Sequence, residues 1–384
     1  MASIPPPTLG PLAPPPRLMM GPGPSNCDPR VYAAMSLPQV GHMDGAFIKI
    51  VEEIKAALRY VWQTENEFTV PVSGTGSAAW EAALANMIEP DDVVLVCVNG
   101  YFGVRALDMC SRYGAKVEKI EAAWGETFSV EAVAAAIAQH KPKIVHVTHA
   151  ETSTGACQPM EGLGEACHAA GALLLLDTVT SICGLPVYLD KWGVDIAFAG
   201  GQKCMGMPPG LSPLTFSARA LEALAARKTP VKNWYLDMTM IQKYLVPAAG
   251  VSKRVYHHTA PVSMAYAMRA ALGIVVEETL EVRWARHRAN AELLWAGLEK
   301  IGVKCHVEES VRLPSLTTAC VPEGIDAGAV CKFCLENYNL EVGGGLGELG
   351  GKVWRIGLMG YNSRAENVIT LCAALEAAMA DQRK

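Results

Sequence analysis

Residues 171–206 read GALLLLDTVTSICGLPVYLDKWGVDIAFAGGQKCMG, and the two short apolar runs in this stretch decide the fold. The first run ends at Asp177, and the second ends at Phe198, shortly before Lys203. Short apolar runs that stop at turn residues indicate strands buried on both faces, as in a parallel sheet. If the two runs are neighbouring parallel strands, Asp177 and Lys203 lie at the same edge of that sheet.

The same pattern recurs earlier in the chain. Three further apolar runs are predicted strands, namely DVVLVCVNG at 92–100, AKVEKIEA at 115–122 and KIVHVTHAE at 143–151. Helical patterns lie between them, as in SVEAVAAAIAQH at 129–140 and GLGEACHAAG at 162–171. Strands that alternate with helices predict an α/β fold, in which helices cover both faces of a mainly parallel sheet. Ligands of such sheets bind beyond the carboxyl ends of the strands.

Changes of pattern divide the chain into three parts. Residues 1–16 contain seven prolines and are expected to form an extended arm that lies across a neighbouring subunit. Residues 17–276 are the predicted large domain. A long helical pattern begins near residue 262 and leads into shorter strand-like pieces, so residues 277–384 are predicted to form a smaller α+β domain.

Composition excludes several classes of protein. The 384 residues are 51% hydrophobic and 18% charged, which suits a large globular core. The formal net charge of −5 provides no broad basic surface for nucleic acid or anionic lipid. No apolar run approaches the roughly 20 residues that span a membrane. The twelve cysteines lie scattered, several of them in apolar stretches, so we predict reduced thiols and no disulfides.

Lys203 and Asp177 are the first candidates for chemistry. Lys203 could extend its ammonium to solvent along an apolar surface, and Asp177 could cap the turn that follows it. The two residues could also form an ion pair with each other. A further interpretation is pyridoxal phosphate chemistry, in which a lysine forms the Schiff base and a carboxylate keeps the pyridinium nitrogen protonated.

Three other motifs lie near predicted strand ends. The Gly-rich turn in VSGTGSAAWEAALANM, at 72–87, opens a helix whose free N–H groups would suit a phosphate, although such turns also simply start helices. NGYFGVRA, at 99–106, offers Tyr101 and Phe102 either as core residues or as stacking surfaces. HAETSTG, at 149–155, supplies hydroxyl groups that could equally form a turn.

Three motifs raise the question of metal, redox or carboxylate binding. The adjacent residues His257 and His258 lack the i, i+4 spacing of a helical metal pair, so we predict a polar loop and no metal site. CKFC, at 331–334, lies in a helical pattern without a second pair nearby, which favours two buried thiols. Arg355 lies in the apolar strand pattern of GKVWRIGLMG, where its partner is either an internal carboxylate or that of a ligand.

In their order along the chain, these motifs resemble those of the class V aminotransferases of pyridoxal phosphate fold type I, which include the alanine–glyoxylate and serine–glyoxylate aminotransferases. The resemblance starts at GPGPSN (21–26), ends at GGGLGELGGKVWRIGLMGYN (343–362) and covers nearly the whole chain after the proline-rich arm. It implies a large cofactor-binding domain with a mainly parallel seven-stranded sheet, and a smaller C-terminal α+β domain.

The resemblance also implies a role for each site residue. Lys203 corresponds to the Schiff-base lysine and proton shuttle, and Asp177 to the partner of the pyridine nitrogen. Phe102 corresponds to the aromatic residue stacked on the ring, where relatives often have tryptophan. Val179 matches the residue on the opposite face, and Ser153 the hydroxyl group near the phenolic oxygen.

The remaining implied roles concern the phosphate and the substrate. Arg355 corresponds to the arginine that grips the substrate carboxylate, and Gly23 and Ser153 are implied to line the substrate pocket. The sequence departs from the family at Gly201, where relatives commonly have serine, and at Ser77, where some have histidine. The residues implied to bind the phosphate are Gly76, Ser77, Gln202, Tyr256 and Thr259. Tyr256 and Thr259 would come from a second subunit, so the active sites would be shared and a homodimer is implied.

The implied function is transfer of an amino group from alanine, or from serine, to glyoxylate, which yields glycine and pyruvate or hydroxypyruvate by ping-pong chemistry on pyridoxal 5′-phosphate. Alanine is the first choice of donor, and serine stays open because an apolar pocket discriminates poorly against an added hydroxyl group. The partners are therefore small amino acids and oxo acids. With no clear targeting signal, the cytoplasm is the expected compartment, and the peroxisome and mitochondrion stay open.

Two other functions remain possible for such a fold. A cysteine desulfurase needs a cysteine on a mobile loop, and Cys320 is the nearest candidate by position, although LTTACVP has a strand pattern. A non-catalytic protein of the same fold would not need Lys203, Asp177 and Arg355 together.

Overall fold

The computed structural model describes residues 4–246 and 254–383. Within these ranges the α-helices are α1 (Pro29–Met35), α2 (Gly45–Trp62), α3 (Gly76–Met87), α4 (Tyr101–Arg112), α5 (Val130–His140), α6 (Leu163–Ala169), α7 (Ala218–Ala225), α8 (Met238–Leu245), α9 (Val262–Glu278), α10 (Leu280–Lys300), α11 (Ala327–Tyr338) and α12 (Ala365–Gln382). The strands are β1 (Leu18–Met19), β2 (Phe68–Ser73), β3 (Val93–Val98), β4 (Lys116–Glu121), β5 (Ile144–Thr148), β6 (Ala150–Glu151), β7 (Ala156–Cys157), β8 (Leu173–Asp177), β9 (Ile196–Phe198), β10 (Leu211–Phe216), β11 (Leu316–Cys320), β12 (Leu340–Glu341), β13 (Gly343–Gly344) and β14 (Val353–Gly357).

The large domain contains one seven-stranded sheet in the order β2-β10-β9-β8-β5-β3-β4. Strand β10 runs antiparallel to its two neighbours, and the other strand pairs are parallel. Every residue of β5, β8 and β9 is buried, so both faces of the sheet centre are covered. The predicted α/β fold with a mainly parallel seven-stranded sheet is confirmed.

The two apolar runs of residues 171–206 are the adjacent parallel strands β8 and β9. In their register Asp177 pairs with Phe198, and on the other side of β8 Asp177 pairs with Thr148 of β5. The carboxyl ends of three strands therefore meet at one edge of the sheet. The loop after β9 starts at this edge and carries Lys203.

Sequence patterns did not identify β2 and β10. Each contains a proline, a residue that argues against a central strand because it has no N–H group to donate. In the structure Pro71 and Pro213 lie directly opposite each other in the antiparallel register.

The smaller domain has a core of its own. Buried residues of α10, α11 and α12 pack against the antiparallel sheet β11-β14-β13. Strand β1 pairs in parallel with β12, and Met20 belongs to this second core. Residues 18–20 therefore pack with elements of the smaller domain, although the sequence assigns them to the large one.

The long helical pattern that begins near residue 262 is two helices. Thr279 has a φ of +67° and separates α9 from α10. The predicted boundary near residue 276 thus falls within α9, slightly before the break. Leu280 packs in the core of the large domain, and Ala291 in that of the small domain, so α10 itself bridges the two domains.

Residues 4–16, the described part of the proline-rich arm, contain no helix or strand and are exposed to solvent. Its extended conformation and its contact with a neighbouring subunit stay predictions. All twelve cysteines are free, in agreement with the prediction of no disulfides. Among the helices in the described ranges, none is long and apolar enough to cross a bilayer.

Candidate active site

A cavity of about 190 Å³ lies at the carboxyl edge of the seven-stranded sheet. The loop after β9, the start of α3 and the start of α4 enclose it. The structure brings together seven residues that the sequence predicts for one site, and they are Gly76, Ser77, Phe102, Asp177, Val179, Gln202 and Lys203.

Lys203 is buried within this cavity wall rather than extended to solvent. Its side chain donates a hydrogen bond to the carbonyl oxygen of Pro22. Burial, helped by the nearby Arg355 guanidinium, lowers the pKa of Lys203 to about 8, while Cys204 and Asp177 act in the opposite direction. Within the described residues Lys203 makes no ion pair at hydrogen-bond distance. Lys203 and Asp177 therefore do not form a direct salt bridge with each other.

Asp177 is a buried carboxyl with one hydrogen bond. Its Oδ1 accepts from the backbone N–H of Val179 at 2.8 Å, so it does cap the following turn with one oxygen. Burial, with a smaller contribution from the Glu151 carboxyl, raises the pKa of Asp177 to about 7, whereas the N–H of Val179, Lys203 and Arg105 oppose this rise. The second oxygen has no hydrogen-bond partner in the described ranges and is available to a protonated ring nitrogen.

The start of α3 can hold an anion. Its N-cap residue, Thr75, makes no side-chain hydrogen bond to the helix, so the first N–H groups remain available. A Cβ at Gly76 would lie only 3.6 Å from Gly200 Cα, which shows how closely the two loops approach. Gln202 Oε1 is buried without a partner in the described structure. The free N–H donors of the helix start fit the phosphate end of pyridoxal phosphate, and the Gln202 amide can join them only through its N–H₂ group, because Oε1 is an acceptor.

Arg355 lies on β14 of the small domain and is buried. Its Nε donates to Gly344 O at 2.7 Å, and in the described part of the chain no carboxylate forms an ion pair with it. Arg355 still acts on Lys203, whose pKa it lowers. An internal Glu or Asp partner is therefore absent at contact distance, and the guanidinium keeps donors for a ligand carboxylate.

The chain is similar to known proteins over nearly its whole length. Residues 30–368 match the family model Aminotransferase class-V. The chain is 42% identical to the alanine–glyoxylate aminotransferase of Rattus norvegicus, over 98% of this chain and 91% of that protein. It is 55% identical to the solved alanine–glyoxylate aminotransferase of Nostoc sp., with a TM-score of 0.94 and 97% of each chain covered. It is 39% identical to the solved ureidoglycine–glyoxylate aminotransferase of Bacillus subtilis, with a TM-score of 0.94 and coverage of 97% and 95%.

The chain belongs to the class V aminotransferase family. The resemblance stated from its motifs is thereby confirmed, and the protein is a transaminase. Members of this family depend on pyridoxal phosphate.

One assignment carried over from the family needs correction. The Ser153 hydroxyl does not face the cavity, because it donates to Glu151 Oε1 at 2.6 Å and accepts from Tyr101 N at 2.8 Å. Thr152 lines the cavity instead, and its Oγ1 lies 2.5 Å from Thr180 Oγ1. Neighbouring residues in a tight turn point in different directions, so motif matching alone missed the shift by one position.

Besides Thr152, four residues of this aminotransferase site were not identified from the sequence as site residues. Glu151 lies behind the cavity wall and raises the pKa of Asp177. Trp80, Arg105 and Phe198 line the cavity. The only sequence signal was position, because Glu151 lies within HAETSTG and the other three lie in or beside quoted motifs.

The departure from the family at Gly201 has a local structural reason. A Cβ at this position would lie 2.5 Å from Met207 Cγ, so a serine there would require Met207 to move. Position 23 also has no room for a side chain, since a Cβ added to Gly23 would lie 2.7 Å from Lys203 Nζ. In addition, Gly23 has a φ of +105°, which favours glycine. The GPGPSN turn therefore packs directly against the lysine, and Ser25 N donates to Gln202 O at 3.1 Å.

Tyr256 and Thr259 lie outside the cavity of their own chain. Tyr256 is 58% exposed, and its hydroxyl lies 3.5 Å from Thr259 Oγ1. The neighbouring histidines form a polar loop, in which His258 Nε2 lies 2.7 Å from Ser73 Oγ and the two Nδ1 atoms are 2.8 Å apart. In the described ranges no group of His, Cys, Asp or Glu is arranged to hold a metal ion.

The cysteine motifs do not reach the site. Cys320 ends β11 in register with Val353, and burial raises its pKa. A strand residue of this kind cannot swing as a desulfurase cysteine does. Cys331 and Cys334 lie on α11 as predicted, and burial raises the pKa of both thiols.

Proposed function

We propose that this transaminase moves the amino group of alanine to glyoxylate and yields pyruvate and glycine, with pyridoxal 5′-phosphate as its cofactor. The observation that carries the proposal is the buried pair of Lys203 and Asp177 in one cavity, each without a counter-ion in contact. Relatives with the name alanine–glyoxylate aminotransferase, up to 55% identical, support the choice of substrates.

The cavity residues suit each part of the cofactor. Pyridoxal phosphate supplies an aldehyde that condenses with amines and a protonated ring that withdraws electrons. The N–H groups that begin α3 at Gly76 and Ser77, together with Gln202, would bind the phosphate. Phe102 and Val179 would hold the ring from its two faces, and Thr152 would contact its polar edge.

Lys203 would be both the attachment point and the proton carrier. With a pKa of about 8, roughly a tenth of its amine is neutral at pH 7, far more than for an exposed lysine. Only the neutral amine can attack a carbonyl carbon or accept a proton from the substrate Cα. The carbonyl of Pro22 orients Nζ from behind.

Asp177 would hold the ring nitrogen in its protonated form. Its carboxyl is destabilised as an anion by burial, and a cationic ring nitrogen against the free oxygen restores the ionised state. A buried ion pair of this kind keeps electron withdrawal strong throughout the reaction.

Arg355 would orient the substrate by its carboxylate. The GPGPSN turn packs closely against Lys203, since a Cβ at Gly23 would lie 2.7 Å from its Nζ, and this close wall supports a small substrate such as alanine or serine. Serine stays the alternative donor, since one hydroxyl group changes little in a small pocket.

We further propose a homodimer in which Tyr256 and Thr259 of one subunit complete the phosphate site of the other. Their exposure in the single chain, outside their own cavity, supports this arrangement. The cytoplasm stays our proposed compartment, and the twelve unpaired cysteines suit its reducing conditions.

A single-turnover panel tests the function. The purified protein is loaded with pyridoxal phosphate, and alanine, serine, glutamate, aspartate and (S)-ureidoglycine are added separately while the visible cofactor band is recorded. We expect alanine to convert the cofactor to its amine form fastest, and glyoxylate to reverse the change. If neither alanine nor serine reacts, the proposed substrates are wrong. Borohydride reduction and peptide mapping should place the pyridoxyl label on Lys203, and a label elsewhere would overturn the mechanism.

A further inference from the structure

Glu151 is a buried carboxylate that the proposed reaction does not use. It ends β6, is fully inaccessible to solvent and makes no ion pair with any residue in the described ranges. Burying such a group costs several kcal/mol unless hydrogen bonds compensate it. The role of Glu151 therefore depends on which groups donate hydrogen bonds to it and on which part of the site those groups belong to.

Glu151 accepts four hydrogen bonds, and two of them come from α4. Oε2 accepts from Phe102 N at 3.1 Å and from Gly103 N at 3.3 Å. Oε1 accepts from the backbone N–H and the hydroxyl group of Ser153, at 3.0 and 2.6 Å. The Ser153 hydroxyl in turn accepts from Tyr101 N. Three consecutive N–H groups in the first turn of α4 thus depend on Glu151, directly or through one hydroxyl group.

The N-terminus of α4 has no cap of its own. Its N-cap residue is Gly100, and a Cβ there would lie 2.4 Å from Glu151 Cγ and 2.6 Å from Ser153 Oγ. The Glu151 carboxylate, which comes from β6, therefore takes the position that a side chain of the N-cap residue would otherwise occupy. Charged acceptors at a helix N-terminus form some of the stronger hydrogen bonds in proteins.

The first turn of α4 also carries the aromatic wall of the cavity. Phe102 lines that cavity, and its own N–H is one of the groups held by Glu151. Glu151 is close enough to the reacting groups to act on them electrostatically. Burial raises the pKa of Asp177 and lowers that of Arg355, and the charge of Glu151 adds to the first shift and opposes the second.

We propose that Glu151 is a positioning residue for the transamination: it holds the first turn of α4, and through it the Phe102 ring, against the bound cofactor. This inference rests on the function proposed above. Glu151 itself touches neither cofactor nor substrate in the proposal and acts through Phe102.

A double-mutant cycle on cofactor affinity tests the proposal. The Kd for pyridoxal phosphate is measured for the wild type, Glu151→Gln, Phe102→Ala and the double variant. We expect Glu151→Gln to weaken binding about tenfold, since its amide N–H₂ cannot accept from two backbone donors. Because Glu151 acts through Phe102, the double variant should bind about as weakly as Phe102→Ala alone. Independent, multiplying effects of the two substitutions would overturn the proposal.

Asp326→Asn is the matched control. Asp326 caps α11, which has 12 residues like α4, through a hydrogen bond from Ala329 N at 2.6 Å, and it lies in the small domain. Its substitution makes the same change from carboxylate to amide at a helix start. We expect an unchanged Kd for pyridoxal phosphate, and a weakening equal to that of Glu151→Gln would show a general loss of stability and defeat the proposal.

Two further measurements separate positioning from misfolding. At saturating pyridoxal phosphate, the visible circular dichroism of the cofactor should fall in Glu151→Gln and not in Asp326→Asn, because a looser Phe102 leaves the ring less rigidly held. In the cofactor-free proteins, hydrogen exchange of residues 101–105 should quicken in Glu151→Gln only. If that variant does not fold, Glu151→Asp, which keeps the charge on a shorter stem, should show the same three changes. A wild type that does not bind the cofactor defeats the proposed function, whereas normal binding by both Glu151 variants defeats this inference alone.

Discussion

The carboxyl edge and the amino edge of the central sheet each hold a buried aspartate, and the two aspartates differ in how many partners bind their carboxyl oxygens. Asp177 lies at the carboxyl end of β8, and Asp195 directly precedes β9 at the amino edge. Both are almost inaccessible, at 5% and 1% exposure. Both also lie beside short apolar runs, so local sequence alone does not distinguish them.

The two aspartates differ in how their partners satisfy them. Asp195 accepts from Leu174 N at 3.0 Å and Ser217 Oγ at 2.9 Å, and it lies 3.0 Å from His168 Nε2 and 3.3 Å from Arg219 Nε. Within the described ranges, the Asp177 carboxyl accepts a single hydrogen bond, from Val179 N. A buried charge with a full set of partners stabilises the fold, whereas one left open costs stability until a ligand pairs with it.

Replacing a lysine at each edge should give the largest contrast. Lys203→Ala removes the attachment point and the proton carrier together, so we expect kcat for alanine and glyoxylate to fall by about 10⁴-fold or more. Lys143→Ala at the amino edge removes only a 2.6 Å ion pair with Asp92, which is partly exposed. It should leave kcat unchanged and lower the free energy of unfolding by no more than about 1 kcal/mol. Similar kinetic losses in both variants would erase the distinction between the two edges.

Asparagine at each aspartate should separate activity from stability. Asp177→Asn leaves the ring nitrogen without a counter-ion, so kcat should fall by roughly 10²- to 10³-fold while the folded protein loses no stability. Asp195→Asn breaks hydrogen bonds to a charged group, so urea unfolding should show a loss of about 2 kcal/mol with kcat largely retained. The comparison fails if Asp177→Asn destabilises the cofactor-free protein as much as Asp195→Asn does.

The sequence was sufficient for the parts of this molecule that depend on continuous local patterns. Uninterrupted apolar runs identified β8 and β9, and the strand ends placed Asp177 and Lys203 at one edge. The helix break at Thr279 was missed because the apolar pattern continues through it and the backbone turns there without glycine or proline. Strands β2 and β10 were missed because their prolines argue against strands.

The candidate site was predictable where one residue acts alone and unpredictable where contacts cross between elements. Lys203, Asp177 and Arg355 each stand out as a charge in an apolar stretch. The burial of Glu151 under α4 depends on contacts between residues 48 and 49 positions apart, which no local pattern encodes. Whether Thr152 or Ser153 faces the cavity depends on the turn geometry after β6, and the motif is compatible with either.

The difference in pH-dependent stability between the wild type and Asp177→Asn should report the titration of Asp177. Its folded pKa of about 7 lies above its usual value of 3.8, so protonation favours the folded state and stability is lost as pH rises towards and through 7. Between pH 5 and 7.5 the cofactor-free wild type should lose about 2 kcal/mol relative to Asp177→Asn. The buried histidines act in the opposite direction at lower pH but are common to both proteins, so they cancel in this difference. Urea unfolding at several pH values measures it, and a constant difference would mean that Asp177 is already paired without a ligand.

The smallest expected effect concerns the turn that follows β6. Thr152→Ala removes a hydroxyl group that lines the cavity and hydrogen-bonds Thr180, so the Kd for pyridoxal phosphate should rise several-fold, and the cofactor-free protein should also lose about 1 kcal/mol of unfolding free energy. Ser153→Ala removes a buried hydroxyl group that bonds to Glu151 and Tyr101 N, and it should cost the cofactor-free protein about 1–3 kcal/mol of unfolding free energy. Of these two neighbours, only Thr152 should affect cofactor binding directly through a cavity-lining hydroxyl group, whereas the hydroxyl group of Ser153 is used within the fold. The reverse result, with Ser153→Ala unfolding like the wild type, would restore Ser153 to the cavity and move Thr152 behind it.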